Sequence, residues 1–177
     1  MRIKWFSLIR ITGLLFVLLY HFFQTIFPGG FFGVDVFFTF SGFLITALLI
    51  EEFSKNHEID LVGFFRRRFY RIVPPVVLMV LVTMPFTFLV RQDYVAGIGG
   101  QIAGVLGFMT NFYELLTGGS YESQFIPHLF VHNWSLAVEV HYYILWGLAV
   151  WFLSKQSKSN GQLRGMVFLL SAAAFLI

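Results

Sequence analysis

The stretch "RITGLLFVLLYHFF", residues 10–23, decides the fold, because it is apolar almost throughout yet carries Arg10 at one end and His21 near the other. It lies inside a longer apolar segment, 5–27, and the segments 34–52, 72–90, 97–116, 134–153 and 165–177 repeat the pattern. Several of them approach or exceed the roughly 18 to 20 residues that a helix needs to cross about 30 Å of hydrocarbon. Alternating ten-residue strands with polar lumen positions, the signature of a membrane barrel, do not occur. Of the 177 residues 58% are hydrophobic, 20% aromatic and 12% charged, with 24 phenylalanines, which is more apolar surface than one soluble core of this size can hide. The chain reads as all-α, a polytopic transmembrane helical bundle.

There is no cysteine, so disulfides and thiolate metal sites do not enter. The first apolar segment is longer than the core of a cleavable signal and runs into "PGGFFGVD", residues 28–35, so it is expected to stay as the first membrane helix. The last, "GMVFLLSAAAFLI", ends after 13 residues with no polar flank, which suggests a chain cut inside a helix. Basic residues give an orientation: Arg2, Lys4 and Arg10 open the first segment, and Lys55, Arg66, Arg67, Arg68 and Arg71 lie between the second and third. Both regions are expected on the cytoplasmic side, with the N-terminus there. Five full crossings would then leave "SKQSKSNGQLR", residues 154–164, outside against the same rule. Either that loop is an exception, or the glycine-rich stretch "AGIGGQIAGVLGF", residues 96–108, dips in without crossing; the second reading is favoured.

Ionisable groups deep in lipid are costly, so those present usually face a bundle interior or a wet cavity. Arg10 and His21 fall about 20° from three full helical turns and roughly 16 Å apart, on one stripe of their helix. Spacing alone leaves open whether they are interfacial anchors or part of a site. Asp35 opens the second segment, where a carboxylate suits a helix N-terminus as well as a site, and Ser41 and Gly42 read as small groups for close helix approach. In "FFRRRFYRIVPP", residues 64–75, Pro74 and Pro75 read as the start of the next helix. The arginines there anchor the cytoplasmic side or hold phosphate through the planar fork of Arg68 and Arg71. In "HNWSLAVEVHYYILW", residues 132–146, Ser135, Glu139 and Tyr143 share a helical face, and Trp134 suits an interface. So costly a position favours a site role for Glu139 over a purely structural, hydrogen-bonded glutamate, which stays the alternative. His128 and His132 stand four apart, but without further ligands they read as loop histidines, and no metal is expected.

Taken together these stretches resemble the membrane acyltransferase type 3 family. That family carries an arginine and a histidine with ten residues between them in its first helix, matched by Arg10 and His21, and a "GVDVFF…SGFLI" pattern, matched around Asp35. Its R-x-x-R before a proline-rich stretch matches Arg68, Arg71 and Pro74, and its W-S-L-x-x-E-x-x-x-Y matches Trp134, Ser135, Glu139 and Tyr143. The wording of residues 118–140 is similar to the peptidoglycan O-acetyltransferases of Gram-positive bacteria. One departure stands out: His141 and Tyr142 replace the Gln and Phe that usually follow the glutamate.

The resemblance implies a multi-pass enzyme of the bacterial cell membrane, with this chain as the N-terminal part of a unit of about ten helices, inactive alone. Further C-terminal helices and an extracytoplasmic esterase-like domain would complete it. The implied reaction passes an acyl group, acetyl above all, from cytoplasmic acyl-CoA to a hydroxyl of an extracytoplasmic cell-wall glycan, muramic acid of peptidoglycan. Membrane lipid is its surroundings, and no nucleic-acid partner is expected. In this reading His21 is the base or acyl acceptor, and Glu139 fixes its tautomer if it reaches the other ring nitrogen. Arg68 and Arg71 hold the CoA phosphates, and Arg10 guides the donor toward His21. A transporter of an anionic substrate would use the same intramembrane His, Glu and Arg, and stands as the alternative.

Overall fold

The computed structural model describes residues 4–23, 25–89, 95–117 and 128–175, the side chains of 4–7, 10, 88 and 175 excepted. Its described residues form helices, three of them, within Pro28–Asn56, Leu61–Thr87 and Val131–Gln156, long and apolar enough to cross a membrane. The first pair is an antiparallel hairpin: α1 (Lys4–Phe22) and α2 (Phe32–Asn56), joined through a short 3-10 turn at Pro28–Phe31. Glycine lets their backbones meet. A Cβ on Gly33 would lie 2.5 Å from the Gly13 carbonyl oxygen, and one on Gly30 would lie 2.4 Å from that of Phe16. Without a driving force from water, such close small-residue contact is what holds membrane helices together.

At its far end α2 stops on His57, a non-glycine residue in the left-handed conformation (φ 55°), whose N–H returns to the Phe53 carbonyl at 2.9 Å. Asp60 then caps α3 (Leu61–Thr83), its carboxylate accepting from the Gly63 N–H at 2.8 Å. Glu52 ties the two helices, accepting from the Asp60 N–H and from Arg67, both at 3.1 Å. The sequence expectation is corrected here. The helix begins at Leu61, not 72, and Pro74 and Pro75 lie inside it. An Asp cap outweighs the charge of the arginines, which are good helix formers. The missing proline N–H groups cost α3 two of its ladder bonds, a loss tolerated inside membrane bundles.

Between α3 and the next long helix stand α4 (Ile98–Leu106) and α5 (Thr110–Thr117). They are roughly 14 and 12 Å long, less than half the hydrocarbon thickness of about 30 Å. The reversal between them carries the two hydrogen bonds of a Schellman turn, Met109 N–H to Gly104 O at 2.7 Å and Phe108 N–H to Val105 O at 3.2 Å. Phe108 holds the left-handed position (φ 54°) that glycine usually takes. Val105 packs with Val76 and Val80, and Phe108 reaches the groove beside Ile72 and Val73, part-way along α3. The Tyr113 side chain then runs back over Gly104 and Gly100 to the Gly97 carbonyl, 3.3 Å from its hydroxyl. The buried Glu114 meets His128 at 2.8 Å. The pair is a helical hairpin that enters and leaves by one end of the bundle.

That return sets the direction of α6 (Trp134–Gln156), which runs parallel to α2: Phe38 lies by Trp134, Ser41 by Glu139, and Thr46 by Trp146. It runs antiparallel to α3, with Gly147 against Phe64 and Tyr143 beside Arg68. Lys55, Arg66, Arg67 and Lys155 therefore gather at the same end. The last helix, α7 (Asn160–Phe175), begins five residues before the apolar run that marks it in sequence. Its Leu163 and Val167 join Ile45, Leu49, Phe53, Phe64 and Val150 in the main buried cluster.

The glycine contacts make a signed prediction. Gly33→Val should destabilise detergent-solubilised protein by about 1–3 kcal/mol through overpacking. Gly99→Ala, where nothing lies within 4 Å of the new Cβ, should stabilise by up to about 1 kcal/mol. Thermal unfolding followed by circular dichroism checks both; a neutral Gly33→Val would refute the close crossing.

Candidate functional site

Glu139 lies one turn before Tyr143 on α6, and its Oε1 accepts the Tyr143 hydroxyl proton. The same oxygen accepts from the Ser41 hydroxyl, which α2 supplies across the interface. A carboxylate oxygen has two lone pairs, and the two hydroxyls use both. Beside it opens a cavity of about 300 Å³, lined by Ser41, Glu139 and Tyr143 and, from α3, by Arg68 and Arg71.

The same two arginines line a second cavity of about 550 Å³ at the basic end, with Glu51, Glu52, Lys55 and Arg67. They thus form a wall common to both spaces. The guanidinium carbon of Arg68 is 5.4 Å from the centre of the Tyr143 ring and 5.5 Å from that of Phe64, within cation–π range. Arg71 has no carboxylate partner among the described residues. A pair of guanidinium groups, one of them without an internal counter-charge, is a ready receptor for phosphate oxygens.

His21 sits at the end of α1, with Nδ1 2.7 Å from the Val17 carbonyl oxygen. A carbonyl only accepts, so Nδ1 carries the hydrogen and Nε2 is the basic nitrogen of the neutral ring. The ring meets His132 edge-on, 4.9 Å between centres. His132 precedes Glu139 by seven residues, roughly 10 Å along the α6 axis. The expected contact of Glu139 with the second nitrogen of His21 is therefore replaced: the helix's own carbonyl holds that nitrogen, and Glu139 is held by two hydroxyls.

The remaining sequence candidates separate. The backbone of Arg10 lies in α1, and its side chain falls outside the described residues. Asp35 is exposed and lines another groove, with Ile9, Thr39 and Phe43. Ser135 donates to the His132 carbonyl at 3.4 Å rather than reaching Glu139, and Trp134 packs against Phe38. His141 and Tyr142 turn to other neighbours, Phe112 and the stacked Trp146. His128 and His132 face different partners, Glu114 and His21. Sequence reasoning missed Ser41, which it took for a packing residue, and the pairing of His132. Their only signal was a hydroxyl in an apolar span and an imidazole next to one.

Tyr143→Phe, which keeps the ring under Arg68 and removes one donor, should cost about 1 kcal/mol of stability. Tyr143→Ala should cost about 3 kcal/mol or more. Unfolding in detergent distinguishes them, and equal losses would mean that the hydroxyl, not the ring, dominates.

Against known proteins, residues 3–177 match the family described as acyltransferase domain. O-acetyltransferase OatA of Staphylococcus aureus strain NCTC 8325 is 32% identical over 150 residues, 85% of this chain and 25% of that protein. The OatA proteins of strains COL and MRSA252 give the same figures. The chain thus spans about a quarter of the length of these relatives. No solved structure matches it.

Proposed function

The chain belongs to the acyltransferase domain family, and from that membership we propose that it is part of a membrane O-acetyltransferase that carries an acetyl group from CoA to a cell-wall glycan hydroxyl outside. The observation that carries the reading is the wall shared by the two cavities, where Arg68 and Arg71 face both the basic end and Glu139. By the positive-inside rule the basic end, with the N-terminus, is cytoplasmic. The phosphates of acetyl-CoA bind there to Arg68 and Arg71, in the larger cavity. The thioester arm extends past them, and Arg10, on the His21 stripe of α1, guides it.

At the opposite end His21 acts through Nε2. It takes the proton of the acceptor hydroxyl as that oxygen bonds to the acetyl carbonyl carbon; the C–S bond breaks, and the proton goes to the departing CoA thiolate. Glu139 acts at a distance. Its negative charge opposes the positive charge that forms on His21 during the transfer. The name of the Staphylococcus relatives, O-acetyltransferase, supports a hydroxyl acceptor; muramic acid of peptidoglycan is the glycan we assign.

The test uses full-length protein in liposomes, with labelled acetyl-CoA outside and a soluble muroglycan inside, the basic face outward. His21→Ala should lower transfer by about 100-fold or more. Arg71→Ala should raise the KM for acetyl-CoA about 10-fold or more, and Arg71→Lys should restore part of it. Wild-type transfer by the His21 variant would overturn the assignment, and movement of the acceptor without consumption of CoA would favour a transporter.

A further inference from the structure

We infer that Ser41 is a positioning residue for Glu139, holding its carboxylate in one orientation beside the cavity that Arg68 and Arg71 share with it; this rests on the acyl-transfer reading above. Ser41 is buried, and its hydroxyl crosses from α2 to reach Oε1 of Glu139 on α6. Tyr143 donates to the same oxygen from one turn further along α6. Both donors meet on that one oxygen, and Glu139 itself lines the cavity.

The surroundings make this bond more than a packing detail. The charged groups lining the cavity are Arg68 and Arg71 from α3, and α6 adds only the Tyr143 phenol. From α2 come Phe37 and Ser41, since Asp35 lines a different groove, and among the described residues α1 contributes none. Tyr143 cannot orient Glu139 alone, because both belong to one helix and their bond fixes nothing between helices. Ser41 supplies the cross-helix restraint. At the neighbouring Gly42 α6 also comes close to α2, with the Tyr142 hydroxyl 3.3 Å from where a Cβ would stand. Loss of Ser41 removes that restraint and lets the Glu139 carboxylate rotate away from its orientation beside the cavity, while the arginines that bind the donor stay in place.

The experiment compares Ser41→Ala, Ser41→Thr and Ser41→Val in the full-length protein with acetyl-CoA as probe. Thr and Val have one shape and differ only in the hydroxyl, so overpacking at this site would affect both alike. Expected are a kcat about 10-fold or more lower for Ala and Val than for wild type and Thr, and a KM for acetyl-CoA within about twofold of wild type throughout. Equal kcat for Thr and Val, wild-type kcat for Ala, or an acetyl group found on Ser41 by mass spectrometry would each overturn the positioning role. Glu139→Gln in the same assay separates the two levels. If it is inactive while Ser41→Ala is fully active, only the positioning role fails. If it keeps wild-type activity, the acyl-transfer reading of this cavity fails with it.

Discussion

A carboxylate set among helices that show phenylalanine, leucine and valine to their surroundings is the constraint on which this bundle is arranged. Unpaired, Glu139 would cost several kcal/mol in a low-dielectric interior. Its burden is divided among three helices: Ser41 on α2, Tyr143 on its own α6, and the guanidinium groups of Arg68 and Arg71 across the cavity. Each contributor must keep its helix in place. The glycines at 13, 30 and 33 bring α1 tight against α2, so His21 at the end of α1 lies over His132, at the start of the glutamate's helix.

The second constraint is direction. Ser41 can reach Glu139 in this register, with Thr46 reaching Trp146 one to two turns further on, only if α2 and α6 run the same way. Two helices that run the same way have an odd number of full crossings between them; α3 is that crossing, and the short α4–α5 hairpin, which returns to the end it entered by, adds none. The hairpin closes through hydrogen bonds of its own, and Gln101, almost fully buried, links it to the next segment by accepting from the Phe130 N–H at 3.3 Å.

Much of this was legible in the amino acids. Apolar length alone marks α2 and α6 to within a few residues, and the cost of charge in lipid singles out Glu139. The start of α3 was not, because arginines in a row read as a loop until the Asp60 cap is seen to hold Gly63. Nor was Ser41, since a serine six residues past an aspartate gives no hint of a glutamate nearly a hundred positions away. His21 illustrates the other limit: its spacing from Arg10 shows a shared stripe, but the choice between Val17 and Glu139 as partner of Nδ1 belongs to rotamer and helix-end geometry.

The turn at Phe108 bears on how such a protein is made. A segment too short to span cannot be released into lipid as an independent helix, and its backbone becomes acceptable at depth only once protein surrounds it. The docking surface for the hairpin is Ile72 to Val80 of α3 on one side and α6, through His141, on the other. Both flanking helices must therefore be inserted before the hairpin settles between them. Biogenesis of this bundle is two-staged, with spanning helices first and the glycine-rich hairpin docking last.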